Sequence, residues 1–176
     1  MTIAVSLQNL VGELQMLPNE GSAYLNKVTG KVILLTDDVV AMAEMDSEME
    51  VEELEDDEEI GSGIPDSETE YYQEVQRVLA SDPDYLKLPN SFDIHEYEIM
   101  ERFCLAIPDD KVSDVLLRNI RGSGAFRRFK DTIYQYGIEN DWFKYRDEAY
   151  KEIIIAWLES NGIAYSDDMD QREQSA

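Results

Sequence analysis

AYLNKVTGKVILL, Ala23 to Leu35, is the stretch on which the fold class turns. Two β-leaning runs flank Asn26 to Gly30, and Gly30 supplies the positive φ that a hairpin loop of about three to five residues demands. Upstream, Ser6 stands before the helical spacing Leu7, Leu10, Val11 and Leu14, which predicts a capped short helix ending at Pro18. Downstream, Tyr85 to Leu88 has the character of a third strand that closes a small sheet with the hairpin.

Almost everything else carries a helical period. Ser67 and Glu70 have capping-box spacing ahead of Tyr71, Val75, Val78 and Leu79, and Asp82-Pro83 stops that helix. Asp93 and Glu96 repeat the box, with Phe92 and Tyr97 as its staple, before the apolar stripe Ile99, Met100, Phe103, Cys104 and Ile107. Val112, Val115, Leu116 and Ile120 predict a helix ending at Gly122. Phe126, Phe129, Ile133 and Tyr136 predict one ending at Gly137 with both phenylalanines buried. Asn140 or Asp141 then caps a long helix to Asn161-Gly162, whose all-apolar run Ile153 to Leu158 predicts a deeply buried Trp157. The expected fold is α+β and mainly helical, with a small antiparallel hairpin sheet near the N-terminus packed on a C-terminal bundle of three or four helices.

The formal net charge of -24 is unevenly distributed. Glu44 to Glu70 holds fourteen acids and no base, which leaves 25 acids against 15 bases elsewhere. Self-repulsion and thin apolar content make residues 44–66 an expected mobile insert, with a frayed helix around Glu48 to Leu54 as the alternative. The expected domain map is therefore residues 1–43 for the first helix and hairpin, the insert, residues 67–165 packed with the hairpin as one unit, and a disordered tail from 166. One cysteine, Cys104, forms no internal disulfide, and one histidine, His95, cannot supply a two-histidine metal site. Without a basic leader or an apolar run of membrane length, the chain reads as cytoplasmic, with no membrane partner.

No chemical constellation assembles from the remaining residues, and no catalytic, metal or cofactor residues are assigned. His95 falls on an exposed first turn, and Cys104 lies on the apolar face of its helix. Gly-Ser-Gly occurs at residues 61–63 and 122–124 without a phosphate-loop Gly-Lys-Ser/Thr after it. The stretch RNIRGSGAFRRFK, Arg118 to Lys130, contradicts the composition with five bases and no acid. Gly124 opens a helix, and Arg121, Arg127, Arg128 and Lys130 lie within two turns of it, as an anion or partner site requires. The competing reading pairs Arg127 with Asp131 and sets the other bases against acidic helices. Trp142, Tyr145 and Arg146 have the composition of a protein interface, against the alternative of core packing.

GSGAFRRFKD, then Trp142-Phe143, then YRDEAYKEIIIAWLESNGI resemble a bacterial uncharacterised protein family, number zero-one-five-eight, and SAYLNKVTGKV resembles that family's N-terminal half. The resemblance implies no activity or cofactor. It matches Gly124, Phe126, Arg127, Arg128, Phe129, Lys130, Asp131, Trp142, Arg146 and Asp147, and the acidic insert departs from it. Two functions are expected on these grounds. One is a non-catalytic interaction or regulatory module for another protein. The other is a phosphate or RNA binder using Gly122 to Lys130, disfavoured by net charge and screened by the insert.

Overall fold

Ser6 holds extended backbone, and its Oγ accepts from Asn9 N at 3.1 Å, which caps α1, Leu7–Met16. That helix turns Leu7, Leu10, Val11 and Leu14 inward and stops ahead of Pro18, as the spacing predicts. The computed structural model describes residues 3–18, 20–52 and 66–169. A two-residue strand, β1 (Val5–Ser6), precedes α1.

The predicted hairpin is present as β2 (Ser22–Asn26) and β3 (Val32–Leu35), antiparallel with Tyr24 opposite Ile33. Gly30 takes φ +74°, and its N–H donates to Asn26 O at 2.8 Å. The buried Asn26 side chain completes the turn, its Oδ1 accepting from Val28 N at 2.9 Å and Thr29 N at 3.1 Å. Asn26→Ala strands both donors and should lower stability by about 1–3 kcal/mol. An unchanged urea midpoint would show that water replaces the side chain.

α2 spans Asp37–Glu52, whereas the sequence assigns no element to residues 36–43 and allows only a frayed helix around Glu48 to Leu54. Thr36 starts it, its carbonyl accepting from Val40 N at 3.0 Å, and Asp37 and Asp38 place negative charge where the helix end is positive. Residues 53–65, the centre of the expected mobile insert, lie outside the described residues. α3 (Asp66–Leu79) begins one residue ahead of the expected Ser67 cap. Val75 and Val78 are buried, whereas Leu79 faces solvent because it lies beyond the edge of that stripe.

β4 (Tyr85–Lys87) is the third strand and pairs with the free edge of β2, giving the order β3-β2-β4. Ile33, Leu35 and Tyr85 pack with Ala43 of α2 and with Val75 and Val78 of α3, so these two helices cover one face of the sheet. Tyr71 Oη fastens α3 to β3 by donating to Leu34 O at 2.7 Å. Ala23 and Leu25 are buried on the opposite face.

The expected Asp93 cap is replaced by a break. α4 (Ser91–Ile94) and α5 (Glu96–Ala106) are separated by His95 in the left-handed region, φ +51°, which resets the chain so that Ile94 and Ile99 are both buried. Phe92 and Tyr97, the expected staple, are exposed. α6 (Asp110–Asn119) is capped by Asp109, whose Oδ1 accepts from Lys111 N and Val112 N. α7 (Ala125–Tyr136) ends at Gly137, φ +65°, with Ile138 N bonded back to Ile133 O at 3.0 Å.

α8 (Glu139–Ser160) buries Ile154 and Leu158 completely, but Trp157 is half-buried, not a core residue. A run that is apolar all round does not specify its inner side, and the i,i+4 pair Ile154 and Leu158 takes it. β5 (Tyr165–Ser166) follows and pairs in parallel with β1. Beyond β5, Asp168 accepts from Gln8 N at 2.9 Å and from Ser6 Oγ. Residues from 170 lie outside the description. Burial pushes the Asp168 carboxyl up, but the bonds from Ser6 and Gln8 outweigh it and hold the group below its usual range. A lowered folded-state pKa contributes stability above about pH 4 that is lost as pH falls through the folded value. Asp168→Asn should therefore remove part of the acid-induced drop in melting temperature. An unaltered acid limb would assign that drop to other carboxylates.

The molecule is α+β and mainly helical. Its described residues divide into two units. One comes from Met1–Asn90 and Trp157–Ala176, the other is Ser91–Ala156. No helix among the described residues is long and apolar enough to cross a membrane.

Candidate binding surface on α7

The second unit carries 13 acids and 10 bases, a net of -3, although the chain as a whole stands at -24. Acidity is therefore weak around the basic segment. α5, α6, α7 and the first part of α8 build this unit around a cluster of rings. Phe129 lies edge-on to Trp142 at 4.8 Å between centroids and to Phe103 at 6.1 Å, and Phe103 also meets Tyr145 at 5.4 Å.

That cluster reassigns the expected interface. Trp142 is 4% exposed and belongs to the core, where its rings fix α7 against α8. Tyr145 is half-buried on Phe103. Arg146 lies 4.0 Å from Glu96 Oε1 and 5.7 Å from the centre of the Phe143 ring. Burial, then the charge of Glu96, pushes the nearby Tyr150 hydroxyl up to about 12, so it stays neutral. Burial likewise pushes the Cys104 thiol up to about 11, which leaves it unreactive.

The five residues proposed for an anion or partner site divide into two kinds. Arg128 is structural. Its Nε donates to Asn119 O at 2.9 Å, Nη1 to Ser123 O at 2.6 Å and Nη2 to Arg121 O at 2.6 Å. One guanidinium thus gathers the carbonyls at the end of α6 and in the loop, using the planar fork that lysine lacks. Gly122 and Gly124, both at φ +76°, turn the loop so that those carbonyls converge, and a Cβ on Gly124 would stand 3.1 Å from Arg128 Nη1. Thr132 Oγ1 donates to Arg128 O at 2.7 Å and accepts from Asn119 Nδ2 at 2.8 Å, tying α6 to α7 a second time.

Arg121, Arg127 and Lys130 are exposed, and no ion pair involves them among the described residues. The expected pair between Arg127 and Asp131 does not form. The inward stripe of α7 is Ala125, Phe129, Thr132 and Ile133, which overturns the expectation that Phe126 and Phe129 are buried together. Phe129 is 1% exposed and Phe126 45%, because Phe126 sits about 60° around the helix from Phe129, beyond the stripe's edge. Tyr134, 65% exposed, was not singled out from sequence, yet it follows Phe126 and Lys130 at the same four-residue step. Phe126, Lys130 and Tyr134 therefore form one row along the helix, with Arg127 and Asp131 beside it. The row is the buried series Ala125, Phe129 and Ile133 advanced by one residue, so stepping by four from Phe126 traces it in the sequence.

Fold and surface together define an α+β, mainly helical protein that displays an aromatic and basic helix face. The chain belongs to the uncharacterised protein family UPF0158, whose model matches residues 65–175 and so includes all of α7. The UPF0158 protein PA5073 of Pseudomonas aeruginosa is 24% identical over 92 residues, covering 51% of this chain and 60% of that protein. No solved structure matches significantly.

Proposed function

We propose that the chain is a non-catalytic, cytoplasmic binding module whose recognition surface is the outer face of α7. The observation that carries this reading is the row Phe126, Lys130 and Tyr134, two large rings held in water on either side of a cation. Exposed rings forgo part of the about 1.5–3 kcal/mol that full burial of a phenylalanine side chain contributes, unless a partner covers them. Aromatic and basic side chains together are also the composition that carries binding energy at macromolecular contacts. A catalytic reading gains no comparable support, since Cys104, the one thiol of the chain, is buried.

The test is capture from a lysate of the source organism by the immobilised full-length chain, beside a Phe126→Ala, Lys130→Ala, Tyr134→Ala variant. These side chains are exposed, so circular dichroism and melting should be unchanged while specific capture is lost. Capture that survives the triple substitution places the surface elsewhere.

A further inference from the structure

We propose that the α7 face binds single-stranded nucleic acid, its rings stacking on bases and Arg127, Lys130 and Arg121 contacting phosphates; this rests on the binding-module reading above. Phe126 and Tyr134 are eight residues apart, about 12 Å along the axis, with Lys130 midway. That span matches about two or three nucleotides of a strand more extended than the 3.4 Å step of a duplex strand.

The chemistry of the face separates this ligand from an acidic peptide. A peptide docks through apolar anchors in a groove or along a free sheet edge, and an acidic or phosphorylated one through a cluster of arginines. The row on α7 stands on a convex helix flank, and Phe, Arg, Lys, Asp and Tyr occupy its five positions with no aliphatic residue between the rings. Rings alternating with cations fit a chain of flat bases joined by anions, and stacking is tolerant of base identity. Duplexes keep their bases stacked and would leave both rings uncovered.

The net charge of -24 opposes any polyanion at long range, but the unit that carries α7 stands at only -3. Screening shortens the repulsion to about 10 Å at 0.1 M salt, so contact at the face outweighs distant charge. Arg128 is left out of this binding surface, since each of its three nitrogens already donates to a carbonyl at the end of α6 or in the loop.

The experiment is fluorescence anisotropy of a labelled oligouridylate of about twelve nucleotides titrated with the full-length chain, with duplex RNA and heparin as comparators. The expected result is binding to the single strand in preference to the duplex, with log K falling against log salt at a slope of about -2 for three phosphate contacts. Phe126→Ala and Tyr134→Ala should each weaken it roughly 5- to 150-fold. Phe126→Leu should weaken it about as much, because leucine keeps the apolar area but loses the π-face. Binding that Phe126→Leu leaves intact, or heparin bound as well as the oligonucleotide, overturns the stacking mode. If no single strand binds while capture from lysate still depends on α7, the partner is a protein, and this inference falls alone. If neither assay depends on α7, both readings fall.

Discussion

Phe129→Ala should destabilise the second unit by about 3–5 kcal/mol, whereas Phe126→Ala, three residues away on the same helix, should stay within about 0.5 kcal/mol. Phe129 is fully enclosed and meets Trp142 and Phe103 edge-on, so its removal opens a cavity and ends two ring contacts at once. Phe126 is 45% exposed. Chemical denaturation of the two variants measures the contrast directly. Equal losses would place both rings in the core and remove the surface on which the binding proposal stands. The size of the expected loss is comparable to the whole stability of a small domain, so Phe129→Ala should also reduce soluble yield.

Arg128→Lys should be nearly as harmful as Arg128→Ala, each costing about 1–3 kcal/mol once the half-exposed position is allowed for. Charge is kept in the lysine variant, but a single ammonium cannot meet the carbonyls of Asn119, Arg121 and Ser123 from three directions. Thermal melting with native-state hydrogen exchange at residues 119–124 separates the possibilities. Faster exchange in both variants fits the structural role. A lysine variant that behaves as the parent would mean that Arg128 acts through charge alone and remains available to a ligand.

The sequence was most legible where one residue has few alternatives. Gly30 in the hairpin loop, Ser6 at the head of α1 and Gly137 after α7 each meet a local backbone demand, and all three stand where their chemistry predicts. It was least legible where the burial of an amphipathic or all-apolar segment depends on its neighbours. Phe126 and Phe129 both satisfy a loose helical stripe, and choosing between them needs Trp142 and Phe103, which come from other helices. Trp157 failed as a core residue for the same reason, since a run that is apolar on every side carries no direction. Trp142 failed in the opposite sense, because a ring beside an arginine has the same composition in an interface and in a core. The first half of α2 is not legible because its start depends on Thr36 and on contacts of Ala43 with the sheet, while the acidic composition beyond it argues for a mobile loop or at most a frayed helix. The basic segment was legible as an anomaly, but only the hydrogen bonds show that Arg128 belongs to the loop and Arg121, Arg127 and Lys130 to solvent.

Hydroxyl-radical footprinting of the full-length chain, read by mass spectrometry with and without the single-stranded oligonucleotide, reports whether the rings of α7 are open to solvent and then covered. The account predicts that Phe126 and Tyr134 are oxidised in the free chain and protected by the oligonucleotide, while Phe129 and Trp142 stay unreactive in both states. A free chain in which Phe126 resists oxidation, or an oligonucleotide that protects other rings and leaves Phe126 and Tyr134 reactive, would contradict it.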